Sequence, residues 1–329
     1  MAATFHIRSE EVADYAYIAE THARAFSRDG AIGEVPMVAV HRHRRSFDPD
    51  LALVAELGGQ VVGHVLFTPH VVHVGGESMH AVLLSPISVH PEHQNKGIGS
   101  GLIEEGLKRA KEKGYVFSFL LGHKTYYPRF GYRKGMFGIC RINIALSDID
   151  RISSCTPDNV CERPVQASDI PLLREMWSHW YGSVDLAIEP TDSIIDWVSI
   201  ARNVRASVMT QDETVIGYVR YQTENPADIQ LFLSKDEEAT STILCYLRSR
   251  VKAALASDNP LVLSLQVHPD SSGAKNNITV PFQVEMNRWD SCMIRILADN
   301  PSIEAYCDGV DAELRPHGLV VWPGEFTLC

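Results

Sequence analysis

The stretch that most constrains this chain is residues 81 to 101, Ala-Val-Leu-Leu-Ser-Pro-Ile-Ser-Val-His-Pro-Glu-His-Gln-Asn-Lys-Gly-Ile-Gly-Ser-Gly. Leu83, Leu84, Ile87 and Val89 form a buried strand pattern broken by Pro86. A proline inside a strand removes a ladder donor and marks a bulge or a splayed pairing, so the strand is predicted to part from a neighbour there. After Pro91, the segment Gln94 to Ser100 opens a helix whose first amides have no intrahelical partner, and Gly97 and Gly99 let backbone come close to an anion. Such a join suits a diphosphate. It is neither of two common phosphate motifs. A dinucleotide fingerprint needs a third glycine where Leu102 stands, and a P-loop needs Lys and Ser or Thr directly after its last glycine.

What fits is Gln-x-x-Gly-x-Gly, preceded by Leu84-Ser85-Pro86-Ile87-Ser88-Val89 and followed by Tyr127-Pro128-Arg129-Phe130-Gly131-Tyr132. In these three features, in this order, the chain resembles the GNAT superfamily of acetyl-CoA-dependent N-acyltransferases, whose members carry a similar Tyr-x-x-x-Gly-Phe. The resemblance implies an α/β fold with a mixed, splayed sheet flanked by helices.

At 329 residues the chain is long enough for two domains with separate cores. Hydrophobic residues make up 45% and charged residues 22%, as in globular proteins, and no run of about 20 apolar residues is present to span a bilayer. The N-terminal residues lack the basic patch and apolar core of a signal peptide, and the seven cysteines show neither Cys-x-x-Cys nor zinc spacing. Free thiols in the cytoplasm are the expectation. Net charge is -11, and it is unevenly spread. Residues 1 to 150 hold 16 Lys/Arg against 16 Asp/Glu, whereas residues 151 to 329 hold 14 against 25. An acidic surface repels nucleic acid and attracts cations such as protonated amines, although it also serves plain solubility.

Taken in order, Val12, Tyr15, Ala16, Ile18, Ala19, Ala23 and Phe26 have helical spacing, with Ser9 or Glu10 placed to start the helix. The basic run His41-Arg42-His43-Arg44-Arg45 is expected at a solvated helix end, with an adenosine phosphate as the alternative partner. Leu51 to Leu57 and Val61 to Thr68 read as strands around a Gly58-Gly59 hairpin, and Val71 to Val74 with the Gly75-Gly76 turn continue a meander. Eleven of the 14 histidines fall in the first 123 residues, but the pairs His41/His43 and His70/His73 lack metal-site spacing, so no metal is expected. Ile98, Leu102, Ile103, Leu107 and Ala110 make one apolar stripe. Basic residues then crowd the negative end of the helix dipole before Gly114 stops it, and Val116 to Leu121 is the next buried strand.

After a polar loop at about 147 to 164 the landmarks recur. Ser168-Asp169 opens a helical stretch, Val215-Ile216-Gly217-Tyr218-Val219 matches Val61-Val62-Gly63-His64-Val65, and Ile229 to Leu233 precedes a helix and then the strand Leu261 to Leu265. This is a weak internal repeat. At the turn, Lys235-Asp236-Glu237-Glu238-Ala239-Thr240 replaces the glycine motif with three consecutive acids, which repel a diphosphate. The division expected is residues 1–150 as a catalytic GNAT domain and 160–329 as a degenerate GNAT-like domain. The degenerate domain would wall the acceptor pocket or form the interface of a homo-oligomer, leaving the first half to bind acetyl-CoA alone but acetylate poorly.

What the resemblance implies chemically is direct attack of a substrate amine on the thioester of acetyl-CoA in a ternary complex. Backbone groups of Ile87 and Val89 would pair with the pantetheine. Gln94, Asn95, Lys96, Gly97, Ile98, Gly99 and Ser100 make up the diphosphate turn, with amides from Asn95 to Ser100 holding it. Tyr127, four residues before Gly131, matches the tyrosine that protonates the departing thiolate, and a phenol near pKa 10 can donate to a thiolate of about 8.5. The family's Asn before that tyrosine has no counterpart in Leu121 to Tyr127, and the position of its strand carboxylate is Leu83. The base is therefore open among Glu77, His80, a water chain and the terminal carboxylate of Cys329. The acceptor implied is a primary amine on a small molecule. The alternatives are a non-catalytic acyl-CoA sensor and a protein or peptide N-acetyltransferase.

Overall fold

The computed structural model of the chain describes residues 5–27, 33–152, 159–254 and 262–324. Strand β1 (His6–Ser9) leads through a tight 3-10 turn into helices α1 (Tyr15–Phe26) and α2 (Glu34–Arg42). Strands β2 (Ala52–Leu57), β3 (Gln60–Val74) and β4 (Glu77–Val89) follow, then helix α3 (Ile98–Glu112) and strand β5 (Phe117–Leu121). Strand β6 (Gly138–Ala145) and the short α4 (Leu146–Ile149) lead to β7 (Val160–Pro164), α5 (Ile170–Tyr181), β8 (Val204–Gln211), β9 (Thr214–Gln222) and β10 (Asn225–Ser234). The chain continues through α6 (Glu237–Ala254), β11 (Val262–Leu265), α7 (Ser272–Asn277), β12 (Gln283–Arg288), β13 (Cys292–Ile296) and α8 (Pro301–Asp311). Among the described residues no helix is long and apolar enough to cross a membrane.

These strands build two mixed sheets, in the orders β1-β2-β3-β4-β5-β13 and β7-β8-β9-β10-β11-β6-β12. In each, the first four strands pair antiparallel and the fourth meets the fifth in parallel. Two mixed sheets flanked by helices is the architecture expected from the sequence. The boundary is not. Strand β6, from the first half, lies between β11 and β12 in the second sheet, while β13, from the second half, pairs with β5 in register Cys292↔Leu121 to Ile296↔Phe117. The two halves thus exchange strands, and a cut at residues 150–160 does not separate the sheets. Sequence periodicity reports which face of a strand is buried but not which neighbour it finds, so the exchange left no signal.

The entry to each half is built alike. The Arg8 guanidinium donates to both Asp14 carboxylate oxygens (2.6 and 2.9 Å) and to the Ser9 carbonyl, and Asp14 also accepts the Glu11 amide. Six residues apart again, Arg163 donates to both oxygens of Asp169 (2.7 Å each) and to the Pro164 carbonyl, and Asp169 accepts the Gln166 amide. This fork corrects the expected helix start. Ser9 ends a strand and Val12 is exposed, because Asp14 folds residues 12–14 into a 3-10 turn before α1 begins at Tyr15. The hairpin at Gly58-Gly59 forms with positive φ at both glycines, but the two segments read beyond it are one strand, Gln60 to Val74.

The basic run is solvated only at His43 and Arg45, and its other three residues are engaged within the protein. His41 is buried, Arg42 clamps Glu10 at 2.7 Å and lies 3.9 Å over the Tyr15 ring, and Arg44 makes a buried ion pair with Asp196 of the second half (2.6 Å). Nearby, Glu10 accepts from His64, whose other ring nitrogen meets His22 at 2.8 Å. Burial holds His22, His64 and His70 below the ordinary imidazole range and His41 down to about 3. These rings are neutral when folded and take protons when unfolded, so their contribution is complete above about pH 6.5 and is lost as pH falls toward the folded values. Each such histidine lowers stability by about 1.4 kcal/mol per pH unit over that window. Urea midpoints are expected to drop steadily from pH 7 to pH 5. A flat profile would contradict the neutral, buried state.

Candidate active site

Strand β4 carries the first functional feature. It pairs with β5 only through Ala81, Val82 and Leu83, opposite Phe117 to Phe119, and the pairing with β3 shifts register between Phe67↔Leu84 and Val65↔Ile87. Pro86, which has no amide hydrogen, sits in that shift. Beyond Leu83 the fourth and fifth strands therefore part, and backbone of Ser85 to Val89 faces the gap, as Pro86 suggested.

The gap opens on the glycine turn. Asn95 and Gly97 take positive φ (61° and 83°), and Gly97 caps α3, so the first amides of that helix have no intrahelical acceptor. The Gln94 side chain donates to the Val89 carbonyl (3.1 Å) and Lys96 to the Glu92 carbonyl (2.8 Å), which ties the turn to its own strand. A Cβ on Gly99 would sit 2.9 Å from the Tyr126 hydroxyl, so the glycine lets the end of that side chain lie close to the turn. Ile98, Leu102, Ile103, Leu107 and Ala110 bury the helix stripe against the sheet.

Tyr127 begins a 3-10 turn that ends at Gly131, whose φ of 80° demands glycine. Its ring packs against Gly122, where a Cβ would come within 2.3 Å of Cε2, and it meets Tyr126 and Tyr132 edge to face at 5.3 and 6.0 Å. The ring is 8% exposed, and no hydrogen bond holds its hydroxyl among the described residues. Burial, with a smaller effect of Tyr126, pushes the phenol up to about 12.

These pieces surround one cavity of about 1300 Å³. Ile87, Val89, Gln94, Asn95, Gly97, Ile98, Gly99, Ser100 and Tyr127 all line it, whereas Lys96 is turned away onto Glu92. The base candidates read from sequence are not brought here. Glu77 begins β4 and accepts from Ser302, and His80 lines a separate cavity with Arg44 and His70. Residues 325–329, with Cys329, lie outside the described residues, and Val321 to Pro323 line a small cavity with Arg220 and Trp197 instead. The wall does hold Glu34, His93 and His123; sequence reasoning missed Glu34 and His123 because α2 and the segment after β5 reach the cavity only by tertiary packing, whereas His93 stands directly before Gln94 in the turn itself. Trp289 and Ser291 also line it, and Ser291 accepts the Gly122 amide at 2.9 Å. His90, Glu92 and His93 bring three ligating atoms within 4.8 Å of one another, but a ring nitrogen of His90 is already committed to the Glu92 amide (3.3 Å).

The corresponding place in the second half is filled. Gly217 stands opposite Ser234 as Gly63 stands opposite Val89, so Phe232 and Ser234 correspond to Ile87 and Val89. There the Trp180 indole donates to the Ser234 carbonyl (2.9 Å) and the Tyr181 hydroxyl reaches the Phe232 carbonyl (3.4 Å). Asp236 places its own carboxylate on the start of α6, accepting the Ala239 amide at 2.8 Å.

A mixed sheet parted beside a glycine-capped helix, with a buried tyrosine on the wall, defines an acyltransferase of the GNAT class. The profile of the acetyltransferase (GNAT) domain matches residues 6–135. Uncharacterized N-acetyltransferase YjhQ of Escherichia coli K12 is 37% identical over 129 residues, which are 39% of this chain and 68% of YjhQ. The chain belongs to the GNAT acetyltransferases and is an N-acetyltransferase of that type. Among solved structures, a GCN5-related N-acetyltransferase from Kribbella flavida shares the fold with TM-score 0.62 at 19% identity, covering 89% of this chain and 72% of that one. A probable N-acyltransferase from Enterococcus faecalis V583 does so with TM-score 0.64 at 12% identity, covering 90% and 73%.

Proposed function

We propose that the chain transfers an acetyl group from acetyl-CoA to a primary amine of a small molecule. The observation that carries this reading is the open gap between β4 and β5, which leads from the glycine turn to the unengaged Tyr127 hydroxyl. In this reading the pantetheine lies along Ile87 and Val89, and amides from Asn95 to Ser100 receive the diphosphate, favoured by the positive end of α3. The neutral amine nitrogen attacks the thioester carbon, the carbon–sulfur bond breaks, and Tyr127 gives its proton to the departing sulfur. The proton lost by the amine leaves through a wall residue, for which the cavity offers Glu34, His93 and His123. The free thiols of Cys140, Cys161, Cys245, Cys292 and Cys307 accord with a cytoplasmic setting.

The second half is proposed to be a degenerate copy, with Trp180, Tyr181 and Asp236 taking the places of donor groups. Two supports are the repeated Arg–Asp fork and the matched glycines. Gly63 would place a Cβ 3.0 Å from Ile98 of α3, and Gly217 would place one 2.5 Å from Ile243 of α6. One acetyl-CoA per chain is the expected stoichiometry by calorimetry, and two would overturn the degenerate reading. Gly99→Glu is expected to abolish binding by setting a carboxylate where the diphosphate sits. Thiol release from acetyl-CoA against a panel of amines tests the activity. Binding without release in the presence of any amine would favour a sensor.

A further inference from the structure

We propose that the acceptor is a primary amine bearing an aromatic or bulky aliphatic group, and that Trp289, supplied by the second half, is the residue that selects it. The inference rests on the acetyl-transfer reading above and names its substrate class.

Away from the glycine turn, the cavity wall is made by Phe26 of α1, Glu34 and Met37 of α2, and Trp289 with Ser291 between β12 and β13. Three of these five side chains are large and apolar. Glu34 is the single carboxylate among the described lining residues, while Lys124 and Arg129 add positive charge. A polyamine or another polycation binds through several carboxylates at once, and this wall offers one. The acidic surplus of the second half is spent elsewhere, since what that half brings to the cavity is an indole and a hydroxyl.

Trp289 is the notable group. It is 44% exposed, and among the described residues its ring has neither an aromatic neighbour nor a hydrogen bond. Trp177, Trp180 and Trp197, by contrast, are buried. An indole left open on a cavity wall gains by covering an apolar or π-faced group and by attracting a cation to its face. Its location is fixed by the strand exchange. β13 pairs with β5, Ser291 holds the Gly122 amide, and Gly122 carries the Tyr127 ring, so the turn bearing Trp289 stands beside the proposed proton donor.

The test compares phenethylamine, tryptamine and isopentylamine with spermidine and glycine as acceptors for the full-length chain, by thiol release. The apolar amines are expected to exceed spermidine in kcat/KM by roughly ten- to a hundredfold, the discrimination an apolar pocket supplies. Trp289→Ala should raise KM for phenethylamine by about tenfold or more, with KM for acetyl-CoA unchanged, and Trp289→Phe should restore most of the loss. Phenethylamine added with CoA should also change the emission that the wild type shows and Trp289→Phe lacks. Preference for spermidine, or a Trp289→Ala defect confined to acetyl-CoA, would overturn the inference while leaving acetyl transfer intact. Absence of transfer to every amine, with acetyl-CoA still bound, would overturn the transfer reading and this inference with it.

Discussion

Tyr127→Phe is expected to lower kcat by roughly ten- to a thousandfold and to leave the Kd for acetyl-CoA unchanged, because a general acid acts only as charge develops on the sulfur. The packing makes this a clean substitution. Phe keeps the contact with Gly122 and the edge-to-face contacts with Tyr126 and Tyr132, and the hydroxyl it removes has no partner among the described residues. Stability should therefore change little, and a loss of turnover would report chemistry. The pH profile adds a second readout. With the phenol held up to about 12 by burial, Tyr127 stays protonated through pH 10, so no fall of kcat near pH 10 is expected from its ionisation. Unchanged turnover of the Phe variant with chemistry rate-limiting would remove Tyr127 from the mechanism.

A chain ending at Asp150 is expected not to fold, in contrast to the self-sufficient first half that the sequence suggested. It would lose β13, whose Met293 and Ile294 are fully buried against the first sheet, and with α8 the buried Ile303, Tyr306 and Cys307. It would also leave β6 without β11 and β12, exposing Cys140, Ile142 and Ile144, which are fully buried in the second core. Unpaired strand edges and apolar faces of this kind drive aggregation. A point change makes the same test within the full chain. Ile294→Asp places a charge between Phe119 of β5 and the chain at Arg133, and it should destabilise by about 4 kcal/mol or more, among the largest single-site effects. Urea denaturation measures it. A monomeric, cooperatively unfolding 1–150 fragment that binds acetyl-CoA would show that the exchanged strand is dispensable.

The strand exchange also explains the uneven legibility of the site. Three features are local: the proline break at Pro86, the helix start at Gly97, and the Tyr127 to Gly131 turn each span a few residues whose backbone preferences are intrinsic. The sequence could therefore indicate them, and the structure sets nearly all of the residues named on one cavity, Lys96 being the side chain that turns away. Glu77 and His80, weighed as bases, fall on β4 at its far end from Pro86, because the proline break says where the strands part but not which titratable side chains face the opening. The basic run misled for a related reason. A cluster of cations looks solvated until Glu10, Asp196 and the packing around His41 are brought to it from distant segments.

What the sequence determined by itself, then, is the glycine turn and the tyrosine turn, along with the absence of a second glycine turn after β10. These rest on glycine, proline and charge acting within a few residues. Only the tertiary structure decided that β6 and β13 change sheets, that Trp180 and Tyr181 reach the Ser234 and Phe232 carbonyls, and that Trp289 joins the first cavity. Those outcomes depend on contacts between residues more than 50 positions apart, from Trp180 on Ser234 to β13 on β5, and buried area between distant segments leaves no periodic trace in the chain.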